Sequence, residues 1–226
     1  PVAAVAEVVA ARGRRLLIDA MSSFGALPLD MGQVPCDAIA ASANKCLEGV
    51  PGMGFVVCRK AVLAATKGNA HSLSLDLHDQ WAAMEASAQW RFTPPTQVIA
   101  AFHQALAEHA AEGGVAGRGA RYQRNCDILV TGMRDMGFRP LLPDALQAPI
   151  IVTFHMPADP VFRFQAFYDA LAARGYVIYP GKLTVAESFR IGCIGRLDET
   201  VMRGALQAIR ETLDEMGVRQ CGPIAA

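Results

Sequence analysis

Apolar positions in the first half of the chain come in two rhythms. Short runs that close on a polar residue alternate with segments spaced at three to four residues. Pro1 followed by Val5, Val8 and Val9 predicts an opening amphipathic helix, with proline at its first turn. Residues 14–19, reading Arg-Arg-Leu-Leu-Ile-Asp, form an apolar run closing on a carboxylate, the pattern of a buried strand in a parallel sheet with Asp19 at its C-terminal end. Two further β segments are predicted over 36–42 and 54–58, joined by the turn-rich stretch from Leu47 to Gly52. Helical spacing covers 59–66, 79–87 and 95–111, the last with Val98, Phe102, Leu106 and Ala110 on one face and a stop at Gly113-Gly114. Another helix spans 117–136 and ends at Gly137.

Beyond Phe138 the order becomes strand (150–155), helix (162–173), short strand (176–179), strand (188–194) and helix (199–216). Asp198 caps the last helix and Gly217 stops it. This grammar predicts an α/β portion over 1–115, a connecting helix over 116–137 and a smaller α+β domain over 138–226.

Composition narrows the function classes. The 226 residues are 52% hydrophobic and 19% charged, with mean hydropathy +0.24, which describes a globular chain and excludes a disordered tail or a coiled coil. Twenty-one basic residues balance 21 acidic ones, so neither a nucleic-acid footprint nor a polybasic membrane patch is expected. No apolar run approaches the roughly 18 residues that span a bilayer. The first ten residues carry Glu7 and no basic lead, a poor signal peptide, and they read as a helix entered in mid-fold. Six cysteines without CxxC spacing argue against structural zinc and for scattered buried thiols in a reducing cytoplasm. His71, His78, His103, His109 and His155 have no ligand spacing, so no metal site is expected. Arg118, Arg121 and Arg124 form a basic helical stripe that reads as a solvated or interface face.

Lys45 follows an apolar strand and precedes a Gly/Pro loop, the place where open α/β sheets put ligands. Taken alone it reads first as an ordinary surface lysine, and Asp19 equally as a cap or turn former. Together they match one device. A pyridoxal phosphate enzyme needs a lysine for the Schiff base and a carboxylate that keeps the pyridine nitrogen protonated. Strand, Asp19, 26 positions, strand-end Lys45 supplies that order.

The segments Leu16-Leu17-Ile18-Asp19-Ala20-Met21-Ser22-Ser23-Phe24-Gly25 and Ser42-Ala43-Asn44-Lys45-Cys46-Leu47-Glu48-Gly49-Val50-Pro51-Gly52-Met53-Gly54-Phe55 resemble the active-site strands of the 2-aminoethylphosphonate:pyruvate aminotransferase family. These are class V, fold-type I pyridoxal phosphate enzymes. The resemblance extends through residues 90–96 (Trp-Arg-Phe-Thr-Pro-Pro-Thr) and 188–195 (Ser-Phe-Arg-Ile-Gly-Cys-Ile-Gly). It implies the C-terminal part of that fold: the remainder of the large mixed-sheet domain plus the small α+β domain. It implies a reaction in which the amino group of 2-aminoethylphosphonate passes to pyruvate, giving phosphonoacetaldehyde and L-alanine. Lys45 would carry the Schiff base and move the proton, and Asp19 would bond the pyridine nitrogen. Arg190 would fork onto the keto-acid carboxylate; the alternative, which the flanking Ile191, Cys193 and Ile194 disfavour, is a surface arginine in an edge strand. Thr93 would reach the cofactor phosphate of the neighbouring subunit in a homodimer.

Members of that family carry, ahead of the matched region, a segment with the Gly/Ser/Thr turn that grips the phosphate and the side chain that stacks on the ring. Neither is in this sequence. The resemblance therefore implies a fragment, which by itself would hold the cofactor weakly. Alanine:glyoxylate and serine:pyruvate aminotransferases share the Asp, Lys and Arg and are the alternatives within the fold; a non-catalytic fragment is the alternative outside it. A cysteine desulfurase fits less well, since Asn44 stands where that relative has His before the lysine.

Overall fold

The apolar runs closing on Asp19 and Ser42 pair side by side. In the computed structural model, which describes residues 1–181 and 186–223, β1 (Leu17–Asp19) pairs parallel with β2 (Ala38–Ser42), and β2 pairs antiparallel with β3 (Gly54–Cys58). The last three positions of the 138–226 domain lie outside the described residues. The chain divides into two compact units, 1–116 and 117–226.

In the first unit α1 (Val2–Ala11) precedes the sheet, and α2 (Lys60–Ala64), α3 (Leu77–Ser87) and α4 (Thr96–Ala111) follow it. β1 starts at Leu17, three residues later than its apolar run. The Leu16 N–H donates to the Asp37 carboxylate at 2.8 Å while the Asp37 N–H donates to the Leu16 carbonyl, so a side chain takes the place of the next ladder bond. A small core of Ala20, Cys36 and Ile39 collects Leu16, Ile18, Phe24 and Val34. Phe55 joins it to α4, its ring 5.3 Å from Phe24 and 5.6 Å from Phe102. On α4 the inward face is Val98, Phe102, Ala105 and His109; Leu106 and Ala110, expected on that face, are exposed. On α1 the buried residue is Ala6, and Val5 and Val8 stand exposed rather than lining an inner face.

The second unit is built on β4 (Ile151–His155), β5 (Tyr179–Pro180) and β6 (Ser188–Gly192), antiparallel in the order β4-β6-β5, with α5 (Gly114–Asp135, its first three residues in the first unit), α6 (Phe164–Ala173) and α7 (Glu199–Met216). Alternation on β6 sends Phe189 and Ile191 into the core and leaves Arg190 on the opposite face. Phe189 lies within 5.8 Å of the rings of Phe138, Phe154 and Phe167. The strand expected over 176–179 is shifted to Tyr179–Pro180, because Ile178 turns into the core instead of pairing. The β6 strand ends at Gly192, two residues short of the expected end; the Cys193 N–H still donates to the Ile150 carbonyl at 2.9 Å, and α5 binds the groups that follow. Asn125 donates to the carbonyls of Cys193 (3.2 Å) and Leu197 (3.0 Å), the Tyr122 hydroxyl accepts from Gly195 N–H at 3.3 Å, and Arg121 donates to the Gly195 carbonyl. The expected solvated stripe is corrected accordingly: Arg118 is 2% exposed and Arg121 is spent on this loop, while Arg124 remains exposed beside Glu199. Residues 118, 121, 122 and 125 share one face of α5, and that face is the inner one.

Among the described residues no helix is long and apolar enough to cross a membrane. All six cysteines are free and five are buried; burial pushes the Cys221 thiol up to about 11.

Candidate active site

Parallel strands bring their C-terminal ends to one edge, and the register makes this specific. Asp19 lies opposite Ala40, and the Ala20 N–H donates to the Ala40 carbonyl at 2.9 Å. Lys45 follows five residues after Ala40 in the loop leaving β2. A direct tie joins the two loops: the Cys46 thiol donates to the Ser22 carbonyl at 3.1 Å. Asp19 and Lys45 thus stand on the same edge of the same sheet, each one to three residues from a bond that fixes its loop.

The loop around Lys45 is rigid for local reasons. Ala43, Cys46 and Leu47 are buried, Gly49 N–H donates to the Ala43 carbonyl at 2.7 Å, and Glu48 N–H donates to the Lys45 carbonyl at 2.9 Å. A side chain at Gly49 would put its Cβ 2.9 Å from that Ala43 oxygen, so the turn closes only on glycine. Opposite it Gly25, at φ +96°, sits against Leu47, and its carbonyl accepts from His109 Nε2 at 2.7 Å. The Lys45 side chain is exposed, and its amine has no hydrogen bond or ion pair among the described residues. Asp19 is also exposed; one carboxylate oxygen accepts from Met21 N–H at 2.9 Å, and the other has no partner among the described residues.

Thr93 lies in the same unit, exposed, in the loop that enters α4 through Pro94 and Pro95. α4 packs back on the Lys45 loop, since a Cβ at Gly52 would meet Val98 at 3.2 Å. Arg190 belongs to the other unit. Its Nε donates to the Pro180 carbonyl at 3.1 Å and its guanidinium lies 5.9 Å from the Tyr179 ring centroid, which leaves both terminal nitrogens unbonded among the described residues. The fork is anchored at its base and open at its tip.

Sequence spacing missed one cluster. Asp76, His78 and Asp79 offer ligand atoms within 4.8 Å of one another at the start of α3. Their groups are engaged: Asp76 accepts from Asp79 N–H as the helix cap (3.1 Å), and Asp79 faces His78 with one oxygen (3.2 Å) and Arg91 with the other (3.3 Å). The signal was there as Asp76 at an N-cap, three residues ahead of Asp79. Asp76 and His78 also border a cavity of about 610 Å³ over the sheet face of Leu17, Asp19, Ala38, Ala40, Val56 and Cys58; Lys45 is outside its lining.

Residues 1–182 match the sequence profile of the family Aminotransferase class-V. The chain is similar to the 2-aminoethylphosphonate–pyruvate transaminase of Pseudomonas fluorescens, at 57% identity over 96% of the chain and 59% of that protein. It is also similar to the transaminase of the same description from Rhizobium meliloti, at 56% identity over the whole chain and 59% of that protein. Among solved structures, pyridoxamine-pyruvate aminotransferase from Mesorhizobium loti superposes with a TM-score of 0.88 at 24% identity, over 97% of this chain and 57% of that one. The fold is therefore that of part of a fold-type I transferase, and the chain spans about three fifths of the length of the curated relatives it matches.

Proposed function

The chain belongs to the class-V aminotransferases, and on that premise we propose that the whole protein transfers the amino group of 2-aminoethylphosphonate to pyruvate with pyridoxal 5'-phosphate, acting as a homodimer and yielding phosphonoacetaldehyde and L-alanine. The observation that carries the chemistry is the shared edge: among the described residues, an amine without a partner and a carboxylate with one free oxygen, on loops tied by the Cys46 to Ser22 bond. The donor and acceptor are read from relatives at 57% and 56% identity whose names carry that pair of substrates. That level of identity is why this pair is preferred over the alanine:glyoxylate and serine:pyruvate alternatives.

The residues fit the cofactor by their chemistry. An exposed primary amine suits an aldehyde, and the free Asp19 oxygen suits a protonated ring nitrogen. When bound, pyridoxal phosphate supplies an electron sink for the carbon that bears the amino group. Lys45 would attach it and then, as a free amine, take the proton from the substrate carbon and return it one position away. Asp19 would hold the ring-nitrogen proton in place, its second oxygen already oriented by the Met21 N–H. Arg190 would present its two terminal N–H groups to the planar carboxylate of pyruvate. Thr93 would donate to the cofactor phosphate from the partner subunit. In domain terms, we read 1–115 as part of the cofactor-binding domain, 116–137 as the connecting helix and 138–226 as the small domain.

The test is a substrate matrix on the whole protein: 2-aminoethylphosphonate, alanine and serine as donors against pyruvate and glyoxylate as acceptors. The proposal expects phosphonoacetaldehyde and alanine from the first donor with pyruvate as the preferred pair. Preference for alanine with glyoxylate, or serine with pyruvate, would move the protein to the alternative assignment.

A further inference from the structure

Arg91 stands two residues before Thr93, and its guanidinium is engaged on three sides. One terminal nitrogen donates to the Leu73 carbonyl at 3.2 Å, the other to Asp79 Oδ2 at 3.3 Å, and the plane lies 5.0 Å from the Phe92 ring centroid. The Arg91 side chain is 20% exposed and that of Asp79 44%, so the contact is half-buried on the arginine side and open on the carboxylate side, and its weight rests on its several partners rather than on the ion pair alone. Its partners are fixed in turn. The Asp79 N–H is capped by Asp76 at 3.1 Å and its other oxygen faces His78 Nδ1 at 3.2 Å, while the His78 ring stacks edge-on with Trp81 at 5.9 Å.

On the far side of Thr93, Pro94 and Pro95 lock their own φ angles, and Pro94 restricts Thr93 itself to extended backbone. The chain after Thr93 is therefore stiff by covalent structure. The chain before it has no such constraint, and Arg91 supplies one by bolting the loop to the loop ahead of α3 and to the first turn of α3. A lysine would hold the loop less firmly, because its donors radiate from one atom and lack the rigid planar fork that reaches two separate acceptors while lying against a ring.

We infer that Arg91 is a positioning residue for Thr93: through the Leu73 carbonyl and Asp79 it sets the loop so that the Thr93 hydroxyl is presented to a phosphate. This rests on the reading of Thr93 as a phosphate contact given above. Arg91 itself touches no substrate or cofactor in this account.

The experiment is a double-mutant cycle in the whole protein, read as the dissociation constant of pyridoxal 5'-phosphate by absorbance titration. Hydrogen exchange of residues 88–95 is followed in the cofactor-free protein. Thr93→Ala should weaken cofactor binding by about tenfold or more, the loss of one charge-assisted donor. Arg91→Lys should weaken it by roughly the same factor and speed exchange in 88–95. The double variant should bind no more weakly than Thr93→Ala alone. Asp79→Asn, which keeps the shape and an acceptor, should give a smaller change of the same kind and serves if Arg91→Lys fails to fold. An Arg91→Lys protein with unchanged cofactor binding beside a weakened Thr93→Ala overturns the inference, as does a double variant in which the two factors multiply. A Thr93→Ala protein that binds cofactor normally overturns the reading of Thr93 instead.

Discussion

Replacing Arg190 with lysine separates the two halves of the proposed reaction. In the structure the Arg190 Nε is spent on the Pro180 carbonyl at 3.1 Å, and the two terminal nitrogens stand free among the described residues, a fork suited to a carboxylate. Lysine keeps the charge but has neither the anchoring Nε nor a second parallel donor. Losing one of two charge-assisted bonds is worth ~1.5–3 kcal/mol. At about 1.4 kcal/mol per tenfold, the KM for pyruvate should rise about 10- to 100-fold. 2-Aminoethylphosphonate has no carboxylate, so its half-reaction should change little. The assay is single turnover of the whole protein, 2-aminoethylphosphonate added to the pyridoxal form and pyruvate to the pyridoxamine form, each followed by the cofactor's absorbance. An unchanged pyruvate response removes Arg190 from the site; equal loss in both half-reactions refutes its assignment to the carboxylate.

Gly25→Ala forces a Cβ to within 2.7 Å of the Leu47 side chain at φ +96°, and should destabilise the first unit by about 1–2 kcal/mol in denaturant melts; an unchanged midpoint would contradict the packing of the Lys45 loop. Mixing and reassembling Thr93→Ala with Lys45→Ala subunits should give more activity than either parent, because with Lys45 in cis and Thr93 in trans both changes fall on one site of the heterodimer and the other is intact; no recovery means that Thr93 acts within its own subunit. Asp159 accepts from the backbone N–H groups of Arg219, Val161 and Gln220, which hold its carboxyl below the ordinary value. A depressed folded pKa contributes stability above the unfolded pKa and loses it as pH falls below about 4, so Asp159→Asn should flatten the acid limb of the melting profile, and an unaltered limb would refute it.

What was legible in the sequence followed from signals confined to a few neighbouring residues. α7 was readable at both ends because Asp198 accepts from Val201 N–H at 3.1 Å and Gly217 takes a left-handed φ of 73°. Strand ends were less readable, since they are decided by partners distant in sequence, as with Asp37 on Leu16 and Asn125 on Cys193. Arginine on α5 was misread for the same reason. Charge alone predicts solvent, and only the folded chain supplies the Gly195 carbonyl that Arg121 reaches. In the candidate site, the shared edge of Asp19 and Lys45 was marked by strand ends, whereas the contacts of Arg91 were invisible because its acceptors sit 12 and 18 residues away on other elements.

Every step proposed above depends on Lys45 as the amine that holds the cofactor. Borohydride reduction of the whole protein loaded with pyridoxal 5'-phosphate, followed by peptide mass spectrometry, tests it directly. A pyridoxyl adduct on Lys45 is the expected result; an adduct on Lys60 or Lys67 with Lys45 unmodified would overturn the assignment.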